Sequence, residues 1–507
     1  MRFFFFAFWL CLFGASGCAA ELAPQPRNAG QGVSAFSATR QINGLTLAPD
    51  GVLWVATSGG VLRRDISGAW RKWTRADGLP THEVRRVEIE NNVVRAVTPR
   101  GVAISSGETW TGSNAKEPVA PRLMWRGQAI SGTHELVLGD EDKTRKIALP
   151  PSRGSHISAL LPHHDALWVA LYGDGVWRLD GEGWRKANWN VPDAAREITA
   201  LAGSPNNLWL GTRRDGVWHF DGKMWSQFLQ PNEPFDTNLQ NMTSFDGALW
   251  SSTLEDGIVR FDGTKWSHFS PPEISSNAPR QLVPFGDALY VRHGGGAVDR
   301  FDGKVWKRNV FSALPRSKTF ALAADTKKIY AAQWGGWSEY DGQNWTHFLR
   351  LPELQGIIVL ALLPVGDDLW IGTQNRGVAQ WNRATQSLTW HDERVGLPDD
   401  WITCMEQQGD DVCAGTFVGG LAVRSKDGRW AAVPELRGQN VTALQPDDNG
   451  GLHIATRSGL WHRDSTGKVI PRSPALPSLD SELQALCATR DGVWAGARTG
   501  IFWVPDK

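Results

Sequence analysis

A tryptophan returns along this chain about every 40 residues, and that spacing limits the fold more than any other feature. Leu167-Trp168-Val169-Ala170 is followed by Leu208-Trp209-Leu210-Gly211-Thr212, then by Leu249-Trp250-Ser251-Ser252-Thr253. Two variant copies later comes Leu369-Trp370-Ile371-Gly372-Thr373. A second marker keeps phase with the first. Asp180-Gly181, Asp221-Gly222, Asp262-Gly263, Asp302-Gly303 and Asp341-Gly342 lead, after two residues each, to Trp184, Trp225, Trp266, Trp306 and Trp345. Two markers locked to one period mean one structural unit copied many times.

Each copy reads as short strands. In the stretch 197–228, Ile198 to Leu201 is one strand, Ser204-Pro205-Asn206-Asn207 a turn, and Leu208 to Thr212 a second strand. Arg213 to Gly216 is the next turn, and Val217-Trp218-His219-Phe220 alternates as a half-buried strand does. Asp221-Gly222 is a hairpin signal because glycine tolerates positive φ, and Trp225 to Phe228 is the fourth strand. No comparable helical periodicity or capping pattern appears. Four antiparallel strands in about 40 residues make a propeller blade. The small Ala or Gly of the second strand suits the crowded axis, and bulky tryptophans suit the widening gaps between blades.

Anchoring each copy on its Leu-Trp strand gives Trp54, Val94, Val137, Trp168, Trp209, Trp250, Tyr290, Tyr330, Trp370, Cys413, His453 and Trp494. The chain is therefore expected to be all-β, a β-propeller array of about twelve four-stranded blades. Twelve exceeds the four to eight blades of ordinary rings, which favours two rings over one wide ring. The last copy ends at Gly500-Ile501-Phe502-Trp503-Val504, a third strand with no fourth after it. Val33 to Ser37 resembles the missing strand, so the N-terminal segment is expected to close the last blade and spare an open sheet edge. If the termini meet, one ring interrupts the other; the split is open at this point.

The remaining segments fit export. Arg2 precedes an apolar run from Phe3 to Phe13, too short for a mature membrane span and of signal-peptide length, so residues 1–17 read as a signal peptide. Ala15-Ser16-Gly17-Cys18 is similar to a bacterial lipobox, which would lipidate Cys18; the small residues also suit ordinary signal peptidase, which would give a soluble secreted chain. Residues 18–32, rich in Ala, Pro, Gln and Gly, read as a flexible tether, and 33–507 as propeller repeats. The expected location is the bacterial periplasm or, as a lipoprotein, the outer membrane; secretion is the alternative.

Lys+Arg and Asp+Glu both number 53 in the 507 residues, so the totals lack the basic footprint of a nucleic-acid binder. Five cysteines show no metal-type spacing with histidine. Cys404 and Cys413 flank Gln408-Gly409, read as a two-residue turn that would set them opposite each other. Two readings follow: a cross-strand disulfide, or small buried hydrophobes, with Cys413 in the slot that other copies fill with Trp.

These copies resemble the two-component regulator propeller repeat, whose hallmark is a Leu-Trp-Ile-Gly-Thr strand followed by a Gly-Val or Gly-Leu turn. Leu369 to Thr373 with Gly377-Val378, and Leu208 to Thr212 with Gly216-Val217, carry it best. Gly78-Leu79-Pro80 and Gly396-Leu397-Pro398 match the Gly-Leu-Pro that precedes many such repeats. The resemblance implies a propeller over nearly the whole mature chain. In that family, propellers often form periplasmic sensors of hybrid histidine kinases that detect glycans. This chain has no kinase segment, so the expectation is a free-standing extracytoplasmic protein.

In such blades the turn between the second and third strands lies near the axis at one end. Those turns nominate Tyr172, Arg213, Arg214, Asp215, Glu255, His293, Trp334, Asn375, Arg376, Phe417, Arg457 and Arg498 as ligand-binding candidates. Wet turns are polar in any case, so Trp334 and Phe417 weigh more than the charges. Asp-Gly-x-x-Trp lacks the Ser-x-Asp that precedes a sialidase Asp-box and reads as a turn followed by a packing Trp. Glu255-Asp256 and Asp399-Asp400 are paired turn acids, and His163-His164 lies in a turn. No catalytic residue, metal or cofactor is assigned. The expected function is non-enzymatic binding of a ligand or protein partner, a glycan among the candidates. The alternatives are a propeller-type glycoside hydrolase or lyase, marked by carboxylates clustered with Arg or Tyr, and a structural scaffold of an envelope complex, marked by a large apolar patch.

Overall fold

The computed structural model describes residues 34–506 apart from 114, 116–121, 140–143, 153, 155, 313, 316–317, 473–481 and 499. The expected signal segment, tether and Cys18 lie outside the described residues. What is described forms twelve four-stranded antiparallel sheets, with helix limited to five single 3₁₀ turns. No helix among the described residues is long and apolar enough to cross a membrane. The blades are numbered here in chain order, blade 1 starting at Ile42–Leu47 and blade 12 at Leu483–Thr489.

The local reading of blade 5 holds strand for strand: Ile198–Ser204, Asn207–Thr212, Val217–Phe220 and Trp225–Phe228. Eleven of the twelve anchors stand in second strands. The third does not. Val137 lies in the third strand of its blade, Leu136–Leu138, whereas the second strand is Gln128–Gly132. That strand has no tryptophan, and Leu136-Val137-Leu138 imitated the missing pattern.

The repeat motif has a mechanical explanation. Its threonine closes the turn after the second strand by donating to the carbonyl of the following glycine: Thr212 Oγ1 to Gly216 O at 2.9 Å, Thr253 to Gly257 at 2.8 Å, Thr373 to Gly377 at 2.8 Å. Gly216 has φ +68°, and a Cβ there would sit 2.5 Å from the Phe228 carbonyl oxygen, so only glycine closes the turn without strain. The motif tryptophans are the core: Trp54, Trp168, Trp209, Trp250, Trp370 and Trp494 are buried. Each buries ~150–250 Å², about 4–6 kcal/mol of apolar transfer as an upper bound. Of the outer tryptophans, Trp184, Trp225, Trp306 and Trp345 are half-buried and Trp266 is buried. Trp184 and Trp225 staple their strands to the preceding connection, donating Nε1 to Ala148 O at 3.0 Å and Trp189 O at 2.7 Å.

Inter-blade cores reveal the split into two rings. Seven hydrophobic clusters each join two blades and together close a circuit of blades 6 to 12. Four more join the others in the order 3-4-5-1-2. The jump from blade 5 back to blade 1 is direct: Ile42, Val55 and Leu62 pack on Ala200, Trp209 and Val217, and Thr199 Oγ1 donates to Ile42 O at 2.6 Å. The jump from blade 12 to blade 6 is equally direct, with Leu239 and Met242 against Ala485 and Trp494. Among the described residues no cluster spans blades 2 and 3, the two ends of this five-blade series.

The N-terminal strand Ser34–Phe36 pairs with Gly500–Pro505 and supplies the outer strand of blade 12, as expected. The chain thus enters through the larger ring, builds the five-bladed one, and returns. Both crossings meet at a buried ion pair between Lys72 and Glu233. Glu233 also accepts from Thr39 N at 2.9 Å and Thr39 Oγ1 at 2.7 Å, and Lys72 donates to Ser37 O at 2.9 Å.

The cysteine register corrects the disulfide reading. The turn is Gly409-Asp410, not Gln408-Gly409, because Gln408 pairs with Asp411. The register therefore moves by two residues, Cys404 faces Gly415 and Cys413 faces Glu406. Both thiols are free, and burial pushes each up to about 12.

Candidate functional site

The turns between second and third strands serve two different purposes in this molecule. Those of blades 5, 6 and 12 face one another where the rings meet, around a cavity of about 150 Å³. Arg213 pairs with Glu255 at 2.9 Å, Arg214 pairs with Asp256 and with Glu197 at 3.2 Å, and Arg498 reaches Glu83 at 4.0 Å. Arg40 lies 4.6 Å over the Phe235 ring on the floor of the same cleft. Asp236 accepts from Thr237 N at 2.7 Å and Asn238 N at 3.1 Å, yet burial still pushes its carboxyl up to about 6. Asp215 is likewise raised by burial, against the pull of Arg40. Four of the nominated residues (Arg213, Arg214, Glu255 and Arg498) thus line an inter-ring cleft rather than the mouth of one ring.

Tyr172 is part of the smaller ring, next to Arg213, with its ring stacked on His156 at 5.2 Å. The same turn borders an open groove of about 800 Å³ on blade 4, lined by Pro151, Asp174, Trp177, Lys186, Asn190 and Arg196. Asp174 there accepts from Trp177 Nε1 at 2.8 Å and Lys186 Nζ at 3.1 Å. Among the described residues no group of His, Cys, Asp and Glu is arranged to hold a metal ion.

The other turns belong to the larger ring. His293 is buried, its Nε2 2.9 Å from Asp299 and its Nδ1 3.0 Å from Ser276, a structural placement away from solvent. Asn375 and Arg457 are exposed. Arg376 donates to Glu353 O at 2.9 Å and covers Trp390 at 4.1 Å. Trp334 is 42% exposed beside Phe320. Phe417 stacks on Trp401 at 4.5 Å, and Trp401 is 37% exposed. Trp401, Val418, Arg40 and Asp236 are functional-site residues that the turn pattern did not nominate. The signal for the first two was the apolar pair Phe417-Val418 in a turn that is charged in blades 5 and 6; the last two lie in crossings outside the repeat and carried no signal.

No protein-family model matches the chain. No curated protein matches it. Solved structures do. PorZ, described as an essential bacterial surface component of the type-IX secretion system of Porphyromonas gingivalis, aligns with a TM-score of 0.57 at 13% identity, over 93% of this chain and 87% of PorZ. The GH74 enzyme of Niastella koreensis aligns with a TM-score of 0.51 at 11% identity, over 93% of this chain and 98% of the enzyme. The extracellular domain of the hybrid two-component system BT3049 of B. thetaiotaomicron aligns with a TM-score of 0.47 at 17% identity, over 92% of this chain and 68% of that one. At these identities the likeness to PorZ and to the GH74 enzyme speaks for the propeller fold alone. An enzyme and a secretion component share it, so function must be argued from the site.

Proposed function

We propose that this chain is an exported, non-enzymatic two-ring propeller, built from repeats of the two-component regulator type, that binds a ligand or protein partner at its turn-bearing ends. The carrying observation is the stacked Trp401–Phe417 pair held open to solvent on blade 10. Aromatic faces on a rigid scaffold bind glycans by stacking and protein partners as interface anchors. The fold shared with PorZ, a bacterial surface component, supports placing the chain outside the cytoplasm.

The second reading, a carbohydrate-active enzyme, draws on the cleft, where Glu83, Asp236, Glu255 and Asp256 gather with four arginines and Asp236 is raised to about 6. Two observations weigh against it. The cavity of 150 Å³ is below the roughly 300–1,000 Å³ of small-molecule sites. Glu255 and Asp256 are held in ion pairs between the rings. A glycan array and a pull-down with the mature protein test the choice. A saturable, turnover-free hit lost on Trp401→Ala or Trp334→Ala supports binding. Hydrolysis of a polysaccharide, abolished by Asp236→Asn, overturns it.

A further inference from the structure

Blade 10 departs from the chemistry of its sister blades at one point. Where blade 5 has Arg213-Arg214-Asp215 and blade 9 has Gln374-Asn375-Arg376, blade 10 presents Phe417-Val418-Gly419. Val418 is 59% exposed, and Val395, on the connection leading to the same blade, 51%. Neither these valines nor Trp401 and Phe417 belong to the cluster that packs blade 10 on blade 9, so the core does not require them. The shelf is nevertheless held rigidly. Asp399 accepts from Trp401 N at 2.9 Å through one oxygen and from Val418 N at 2.8 Å through the other, while Phe417 N donates to Trp401 O at 3.0 Å. An apolar surface fixed in advance by a buttressing carboxylate lowers the ordering cost of an interface.

Its rim is mostly acidic. The connection from Asp392 to Asp400 carries Asp392, Glu393, Asp399 and Asp400 against a single cation, Arg394, which Asp392 already pairs. Burial, and then the neighbouring Asp392 and Asp399, hold the Asp400 carboxyl above its usual range, a cost that an incoming cation relieves. We propose that this shelf docks a protein segment presenting an arginine beside an apolar side chain, the guanidinium over the Trp401 indole within reach of Asp400 and the apolar group against Val418. A cation on a tryptophan face is attracted by the ring's electron density, and charge complementarity selects the partner. This assignment rests on the reading that the turn-bearing end is a binding face, and it names the occupant.

The test is a titration of the mature chain with a labelled peptide of alternating leucine and arginine, read by fluorescence anisotropy, beside the same peptide with glutamine or glutamate for arginine. The arginine peptide is expected to bind at least about tenfold more tightly than the glutamine one. Trp401→Ala and Asp400→Asn should each weaken it by about the same factor, with Met224→Ala, at an exposed position on blade 5, neutral. Equal binding of arginine and glutamine peptides, or binding indifferent to Trp401→Ala, overturns the proposal. If the peptides fail while a captured partner or glycan is still lost on Trp401→Ala or Trp334→Ala, the arginine assignment falls and the binding face stands; if nothing depends on either tryptophan, both fall.

Discussion

Replacing Gly211 with alanine tests which blades are neighbours. In the second strand of blade 5, a Cβ on Gly211 would lie 2.4 Å from Ile42 Cγ2, 2.8 Å from Ile42 Cβ and 3.2 Å from Ala200 Cβ. The glycine is outside the left-handed region, so the effect is steric. Carbon atoms in contact prefer about 3.5–4.0 Å, so the overlap exceeds what a rotamer adjustment absorbs. Overpacking of this kind costs about 1–3 kcal/mol, offset by roughly 0.5–1 kcal/mol because alanine favours an ordered strand over glycine. A net loss of about 1–2 kcal/mol is expected. Ile42 is buried, and Ile42→Ala alone should cost about 2–5 kcal/mol. In the double variant the new methyl occupies part of the vacated space, so the losses should not add: a favourable coupling of about 1 kcal/mol or more is expected in urea melts followed by circular dichroism. The control is Leu239→Ala, in the first strand of blade 6. If blade 5 packed on blade 6, as in one wide ring, Gly211→Ala would couple to Leu239→Ala and be additive with Ile42→Ala. That result would refute the reasoning.

Three further outcomes are expected. Glu233→Ala should destabilise the protein by about 3–5 kcal/mol by stripping Lys72 of its carboxylate in a buried site, and Lys72→Met with Glu233→Leu should recover much of that loss in the same melts. Burial pushes Glu406 up to about 7, so the folded state holds a proton that the unfolded chain has released above about pH 4.5; stability falls as pH rises from there through about 7, by roughly 3 kcal/mol at most, and Glu406→Gln should flatten that slope in melts at pH 4.5 and 8. If the lipobox reading is right, Cys18→Ser should shift the protein from the membrane fraction to the soluble fraction and abolish palmitate labelling in the native host; unchanged fractionation would favour ordinary signal-peptidase cleavage.

The blade was legible because its motif is a list of packing demands. Thr212 and Gly216 shape one turn, Gly211 clears space for a neighbour, and Trp209 fills the core, so residue types repeat wherever geometry does. The third blade was displaced because Trp125 sits in its first strand and its second strand lacks Trp, leaving Leu136-Val137-Leu138 as the nearest imitation. The division into rings left no trace for a physical reason. Gly211 packs on Ile42, Gly372 on Ile402, Gly415 on Val441 and Gly496 on Leu239. Any of these branched or aliphatic residues could serve any of those glycines, so the motif records that a neighbour exists and not which one. The crossing after Phe228, residues 229–238, is only one residue longer than the ordinary connection after Phe269, residues 270–278, so its length does not mark it. The site was half legible. Turn position nominated Arg213, Arg214, Glu255 and Arg498, but their mutual pairing needs both rings in place. Phe417 was visible as an aromatic in a turn, whereas its partner Trp401 and the clamp at Asp399 depend on how the preceding connection folds over it.

The most direct measurement of the two-ring arrangement is short-span cross-linking between paired engineered cysteines, mapped by peptide mass. Gln240 and Gln484 touch through their side chains at 2.9 Å across the joint between blades 6 and 12. Burial pushes the thiols of Cys404, Cys413 and Cys487 up to about 12, which leaves them slow to react. Gln240→Cys with Gln484→Cys should cross-link efficiently, and Thr199→Cys with Gln240→Cys, on the first strands of blades 5 and 6, should not. Efficient linking of 199 to 240 and none of 240 to 484 would contradict the account.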